Sequence, residues 1–151
     1  MLREAITERM KTALRAKDSR TLSTVRLIMA ALKDRDIAAR GTGNSEGIAE
    51  PEIQRMLQGM VKQRRESIEL YQKGNRPELA QRESEEIAVI ESFLPQQMDD
   101  VGIETAAKSA IAESGAVGIK EMGKVMAALR ERHAGVIDLA RAGAIVKRLL
   151  G

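Results

Sequence analysis

His133 is the only histidine in the chain and so the first residue to weigh as an acid–base catalyst. A general base needs an oriented partner and a pocket. Near a helix end, where the hydrophobic spacing places His133, an imidazole also satisfies free backbone carbonyls, and it is read as structural or solvated. Six carboxylates, Glu83, Glu85, Glu86, Glu91, Asp99 and Asp100, crowd into residues 83–100 without a single Lys or Arg. Di-metal sites in helical bundles need Glu-x-x-His motifs from several helices. The histidines for them are missing, so no metal is expected. The strip reads as a solvated helix face or as a docking strip for a basic partner. Absence of cysteine removes thiolate nucleophiles, thiolate metal sites and disulfides together. The glycines form no phosphate cradle. Gly41-x-Gly43 has no following helix fingerprint, and no strand precedes the run from Gly118 to Lys124. No catalytic residue and no cofactor is expected.

Basic residues carry more. Lys120 and Lys124 stand four apart, on one face of a helix, and Lys147 and Arg148 sit in the last turn of the final one. Gly123 lies between the first two, where a helix-interior glycine costs about 1 kcal/mol relative to alanine. Two explanations compete: close packing of another helix of the same chain, or close approach of a partner's backbone. Further upstream, Lys62 and Arg65 share a face with Glu69. Arg76 falls in the break Lys73-Gly74-Asn75-Arg76-Pro77. Tyr71 and Phe93 are the only aromatics. That speaks against the stacking platforms of single-strand binders and leaves recognition of a folded RNA by shape and phosphate contacts. A net charge of +3 is modest, but two basic regions flank the acidic one, which makes a polyanion partner plausible without demanding it.

Helices must position all of these residues. Val and Ile fall mostly at helical spacing and nowhere alternate, so strand signals are nearly absent. The first helix is expected over Leu2–Lys17, with Leu2, Ile6, Met10 and Leu14 as its stripe. Asp18 or Ser19 opens the second, which carries Leu22, Val25, Ile28 or Met29, and Leu32, and frays by Arg40. Pro51 starts a third, with Ile53, Met56, Leu57, Met60, Val61, Ile68 and Tyr71 inward. Gly74 closes it, and Pro77 starts a fourth that uses Leu79, Ile87, Ile90, Phe93 and Leu94 and stops at Leu94-Pro95. Three shorter helices follow. One is capped by Asp99 or Asp100 and closed near Gly115. The next runs from about Ile119 to Arg132, and the last opens at Asp138. The expected fold is all-α, with a four-helix N-terminal domain (residues 1–95) and a three-helix C-terminal domain (96–151). No apolar run approaches a membrane span, and the charged N-terminus lacks a signal peptide's apolar core, so the protein is expected in the cytoplasm.

Read together, LSTVRLIMAALK (Leu22–Lys33), the basic hairpin, acidic arm and Leu-Pro stop of Lys62–Met98, IKEMGKVMAAL (Ile119–Leu129) and IVKRLL (Ile145–Leu150) resemble the YqeY family. Members of that family resemble in turn the tail of the B subunit of the glutamine-dependent aminoacyl-tRNA amidotransferase. The resemblance covers essentially the whole chain. It implies four helices followed by a three-helix domain, and a part that holds tRNA rather than one that reacts. Without the amidase and kinase-like parts, a carbon–nitrogen ligase activity would be attributed by association alone. Before its last helix the family often carries a Lys-, Gly- and Asn-rich turn. This chain has Arg132-His133-Ala134-Gly135-Val136-Ile137-Asp138 there, while Lys120, Gly123 and Lys124 keep the family's pattern. The expected function is therefore a non-catalytic accessory protein that binds tRNA or another structured RNA through Lys120, Gly123, Lys124, Lys147 and Arg148. The alternative is an adaptor that docks a translation enzyme through the hairpin and acidic arm, where Lys62, Arg65, Arg76, Glu83 and Glu86 would form the surface.

Overall fold

Three aspartates open three of the helices by accepting backbone N–H groups that have no partner within the helix. Asp18 receives Thr21 N at 3.1 Å, Asp99 receives Gly102 N at 2.7 Å, and Asp138 receives Ala140 N at 3.0 Å and Arg141 N at 3.2 Å. Two prolines, Pro51 and Pro77, sit in the first turn of two others. The computed structural model describes residues 1–151 and is all-helical, with seven α-helices and no strand. These are α1 (Leu2–Arg15), α2 (Ser19–Gly41), α3 (Glu50–Lys73), α4 (Pro77–Glu91), α5 (Asp100–Ser114), α6 (Met122–Arg132) and α7 (Leu139–Leu150). A 3-10 turn, Ile119–Glu121, precedes α6.

The helix ends refine the reading from sequence. Gly115 ends α5 in the left-handed region with φ 71°, where the missing Cβ removes the steric cost. At the α3–α4 junction, however, the left-handed residue is Asn75, with φ 54°. Gly74 has φ −84°, a value any residue adopts. Asparagine tolerates this region because its short polar side chain can bond locally.

The chain forms two compact units, Met1–Leu94 and Pro95–Gly151. In the first, α3 packs along α4 and α1 along α2, and α2 also rests on α4. Ile6, Val25, Ile28, Ile53, Met56, Leu57 and Ile90 are its buried centre. Leu14, expected in the α1 stripe, is instead 56% exposed, and Ala13 is buried in its place. The reason is geometric: residues four apart precess by about 40° per step on a helix of 3.6 residues per turn, so the row that begins at Leu2 has turned away from the core by Leu14. In the second unit α5, α6 and α7 each touch the other two around Ile103, Ala107, Val125, Leu129, Ala142 and Val146.

One polar device secures the connection between α2 and α3. Arg3 grips Asp36 with a two-pronged contact, Nη1 to Oδ2 at 2.7 Å and Nη2 to Oδ1 at 2.8 Å. The same Nη2 donates to Ile48 O at 2.9 Å, and Ile48 N donates to Asp36 Oδ1 at 2.9 Å. The Arg3 guanidinium, aided by the Ile48 N–H, holds the Asp36 carboxyl down at about 2. A carboxylate with a depressed pKa stabilises the fold above its unfolded value near 3.8 and loses that contribution as the pH falls through the folded value. Wild-type unfolding free energy is therefore expected to drop by roughly 1–2 kcal/mol more than that of Asp36→Asn between about pH 4 and pH 2. Denaturant titrations across that window check it, and parallel curves for the two proteins would refute it.

Candidate nucleic-acid interface

The basic residues of the C-terminal unit divide sharply by whether they have a partner. Lys108 and Arg148 both reach Glu104, at 3.4 Å and 3.3 Å. Arg141 meets Asp100 at 2.7 Å, and Arg132 pairs with Glu113. Lys120, Lys124, Arg130 and Lys147 are exposed and carry no ion pair or hydrogen bond, and Arg130 lies near the far end of α6 from Lys120 and Lys124.

Tertiary packing brings the end of α7 to the turn that precedes α6. Gly143, Lys147 and Gly151 form an i, i+4 row at the C-terminal end of α7. A Cβ on Gly143 would stand 3.7 Å from Met122 Cε, and one on Gly151 would stand 3.6 Å from Ile119 Cδ1. The row therefore lies along the start of α6 and its 3-10 turn. Gly151 thus lies by Ile119 of the turn that carries Lys120, and Lys147 stands one helical turn before it in α7. Arg148, one residue on, points to α5 and is engaged by Glu104. The expected basic cluster is thus Lys120, Lys124 and Lys147, with Arg148 on the α5 side and half neutralised.

Two expectations about this segment need correction. The helix does not run unbroken from Ile119: residues 119–121 form the 3-10 turn and α6 begins at Met122. Lys120 and Lys124 are therefore not on one continuous α-helical face, since a 3-10 turn winds more tightly. Gly123 consequently sits in the first turn of α6 rather than in a helix interior. Nothing lies within 4 Å of where its Cβ would be. Close packing of another helix, one of the two explanations for this glycine, is excluded, and the backbone there is bare to solvent. His133 ends α6 as its cap residue, half-buried, and its carbonyl receives Val136 N at 3.1 Å and Ile137 N at 3.2 Å.

In the N-terminal unit the acidic strip turns inward. Glu86 meets Arg64 Nε at 2.9 Å, Glu91 meets Arg65 at 3.0 Å, and Glu85 pairs with Arg20 of α2. Beyond α4, Asp99 caps α5 and Asp100 pairs with Arg141. Glu83 has no such partner; burial, and then the Glu86 carboxylate beside it, raise its pKa. Within α4 the strip therefore forms ion pairs across to α2 and α3, while Asp99 and Asp100 stay exposed. Of the other residues expected on a partner surface, Arg76 stays near Glu78 at 3.9 Å. Lys62 is exposed at the rim of a groove floored by Ala31, Met56 and Met60. A cleft of about 590 Å³ between α2 and α4 is lined by Ser19, Arg20, Arg82 and Glu85. Its lining holds the hydroxyls of Ser19, Thr21, Ser23 and Thr24 and no histidine. No group of His, Asp or Glu side chains is placed to hold a metal ion.

Arg64 escaped the reading from sequence. Its side chain is 13% exposed, and it also donates from Nη1 to Met60 O at 3.2 Å. The signal was there: Arg64 continues the row Leu57, Met60, Val61 at helical spacing, and Glu86 falls on the stripe of Ile90. A charge at a core position of each of two packed helices is the pattern of an internal ion pair. Reversing one partner leaves a half-buried charge uncompensated. Glu86→Lys is expected to cost roughly 2–4 kcal/mol, read as a lower thermal midpoint. The double variant Arg64→Met/Glu86→Met should recover most of it. If Glu86→Lys melts like wild type, the pair contributes nothing.

The fold and site define an all-helical protein whose C-terminal unit ends in an unpaired basic cluster. The chain belongs to the YqeY-like family, whose profile matches residues 3–150. Similar curated proteins are the yeast proteins named "Altered inheritance of mitochondria protein 41, mitochondrial". The one from Lachancea thermotolerans is 32% identical over 87 residues, 58% of this chain and 44% of that protein. The one from Vanderwaltozyma polyspora is 30% identical over 97 residues, 60% of this chain and 50% of that protein. The matched part of the chain thus spans about half the length of those relatives. No helix is long and apolar enough to cross a membrane.

Proposed function

We propose that this protein is a non-catalytic accessory factor that holds tRNA or another structured RNA through the basic end of its C-terminal unit. The observation that carries the reading is that Lys120, Lys124 and Lys147 are exposed and that none of the three is engaged by an acid, with the C-terminal end of α7 lying against Ile119. Lysines held by the fold, free of partners and next to bare glycine backbone suit phosphate contacts, which fix a protein on a folded RNA without reading its sequence. The likeness of the family to the tail of the amidotransferase B subunit supports the same use. The two compact units then act as domains, a four-helix one and an RNA-holding three-helix one, in the cytoplasm. The mitochondrial location belongs to the relatives' names.

The adaptor reading has less to stand on. Most of the acids it would present are engaged within the fold, and Glu83 is half-buried, which leaves Lys62 and the weakly paired Arg76 as outward-facing groups. The deciding measurement is binding of the purified protein to bulk tRNA by fluorescence anisotropy across a salt titration. Affinity that falls linearly in log–log, with a slope of roughly −0.7 to −0.9 per phosphate contact, is expected. No binding at low salt, where electrostatics are strongest, would end the RNA reading.

A further inference from the structure

Between α5 and α6 the chain exposes two aliphatic side chains that its own core does not use. Val117 is 87% exposed and Ile119 is 49% exposed. Exposed aliphatics standing singly are ordinary, and Leu70 or Val101 needs no account. These two differ because they share one short loop, flank Gly118, and adjoin the unpaired Lys120, Lys124 and Lys147. The loop is anchored behind them by the buried Ala116 and the left-handed Gly115, so both side chains project from a fixed base. Gly118 is extended, with φ −161° and ψ 172°, a conformation open to any residue. Neither it nor Gly123 has an atom within 4 Å of where a Cβ would stand. The fold itself requires glycine at neither position. The consequence is a low, bare backbone on both sides of Ile119.

We infer that Val117 and Ile119 form an apolar contact element of the RNA site, packing against the ribose or base of a nucleotide turned outward from a structured RNA while Lys120, Lys124 and Lys147 hold its phosphates. This rests on the RNA-binding reading and deepens it. A phosphate-only site would be fully soluble in salt, whereas apolar packing against a sugar or base survives it. Charge complementarity selects the occupant: the apolar pair is flanked by cations with no intervening acid engaged to them. An anionic membrane shares that charge. Membrane-surface elements, however, present long or aromatic side chains such as Leu, Phe or Trp on a helical face, and a valine and an isoleucine on a loop do not reach as deep.

The test is the tRNA salt titration repeated with Val117→Ser/Ile119→Ser and with Lys120→Glu/Lys124→Glu. The serine pair is expected to weaken binding about tenfold at every salt concentration without changing the slope, whereas the glutamate pair changes the slope. Both serine positions are exposed, so the circular dichroism spectrum and melting curve should match wild type. Wild-type affinity in the serine pair overturns the apolar contact and leaves the basic site standing. Failure of wild type to bind tRNA at low salt removes both. If the serine pair loses co-sedimentation with phosphatidylserine-containing vesicles but keeps full tRNA affinity, the loop is a membrane contact and the inference is wrong.

Discussion

Gly47→Ala is expected to destabilise the N-terminal unit by roughly 2–4 kcal/mol, more than any other alanine replacement of a surface residue in the chain. Two costs add. Gly47 has φ 93°, and an L-residue held in such a region costs of order 1–3 kcal/mol. Its new Cβ would also stand 2.7 Å from Asp36 Oδ1 and 2.8 Å from Arg3 Nη2, so the two-pronged ion pair would have to open. At roughly 4–8 °C per kcal/mol for a unit of this size, the thermal midpoint should fall by more than about 8 °C. The steric part belongs to the clasp and disappears with it. In an Asp36→Ala background the further loss from Gly47→Ala should shrink to the backbone cost alone, a coupling that a double-mutant cycle measures. Additive losses would show that the clasp and the glycine are unrelated, and a midpoint within about 2 °C of wild type would sink the account entirely.

Lys120→Glu/Lys124→Glu should reduce tRNA affinity by roughly thirty- to a hundredfold near 0.1 M salt and flatten the salt dependence by about 1.4 to 1.8. The mechanism is removal of two phosphate contacts together with introduction of two like charges. Both lysines are exposed and neither has an ion pair within the protein, so the fold should be indifferent. Lys147→Glu should add a comparable step, because Lys147 stands one helical turn before Gly151, which lies by Ile119 of the turn that carries Lys120. Arg148→Glu should add less, because Arg148 points to Glu104 of α5, at 3.3 Å, away from the side that carries Lys147. A uniform response from all four residues would mean that the RNA follows net charge and not this end of the fold. Unchanged affinity in the first double variant would take the C-terminal unit out of the interface.

Much of the helical architecture was readable along the chain because its determinants are local. An aspartate before a helix meets N–H groups two or three residues away whatever the rest of the molecule does, and Asp18, Asp99 and Asp138 all cap as their positions suggest. A proline disfavours the α conformation in the residue before it, and α4 has ended by Leu94. The apolar rows of α2 and α3 bury Val25, Ile28, Ile53 and Leu57 for the same reason: periodicity alone sets which face is apolar. Reading stopped where a residue's fate depends on what lies across from it. Leu14 turned out of the core because its row precesses. Gly74 looked like the left-handed position, but the turn placed that strain on Asn75.

The same boundary runs through the site. Residue types at Lys120, Gly123, Lys124 and Lys147 were visible as candidates for phosphate contact, since charge and the absence of aromatics are properties of composition. Which cations are free is a pairing question, and pairing joins residues far apart in sequence: Arg20 with Glu85, Arg64 with Glu86, Arg148 with Glu104. Those pairs engage several carboxylates of the acidic stretch within the fold and set Arg148 apart from Lys147, its neighbour in the chain. Helices, caps and the sign of charge follow from short-range chemistry written residue by residue. The seating of Gly151 by Ile119, like the clasp of Arg3 on Asp36, arises only when helices pack, because Coulombic contacts and close packing act across space between residues far apart in sequence.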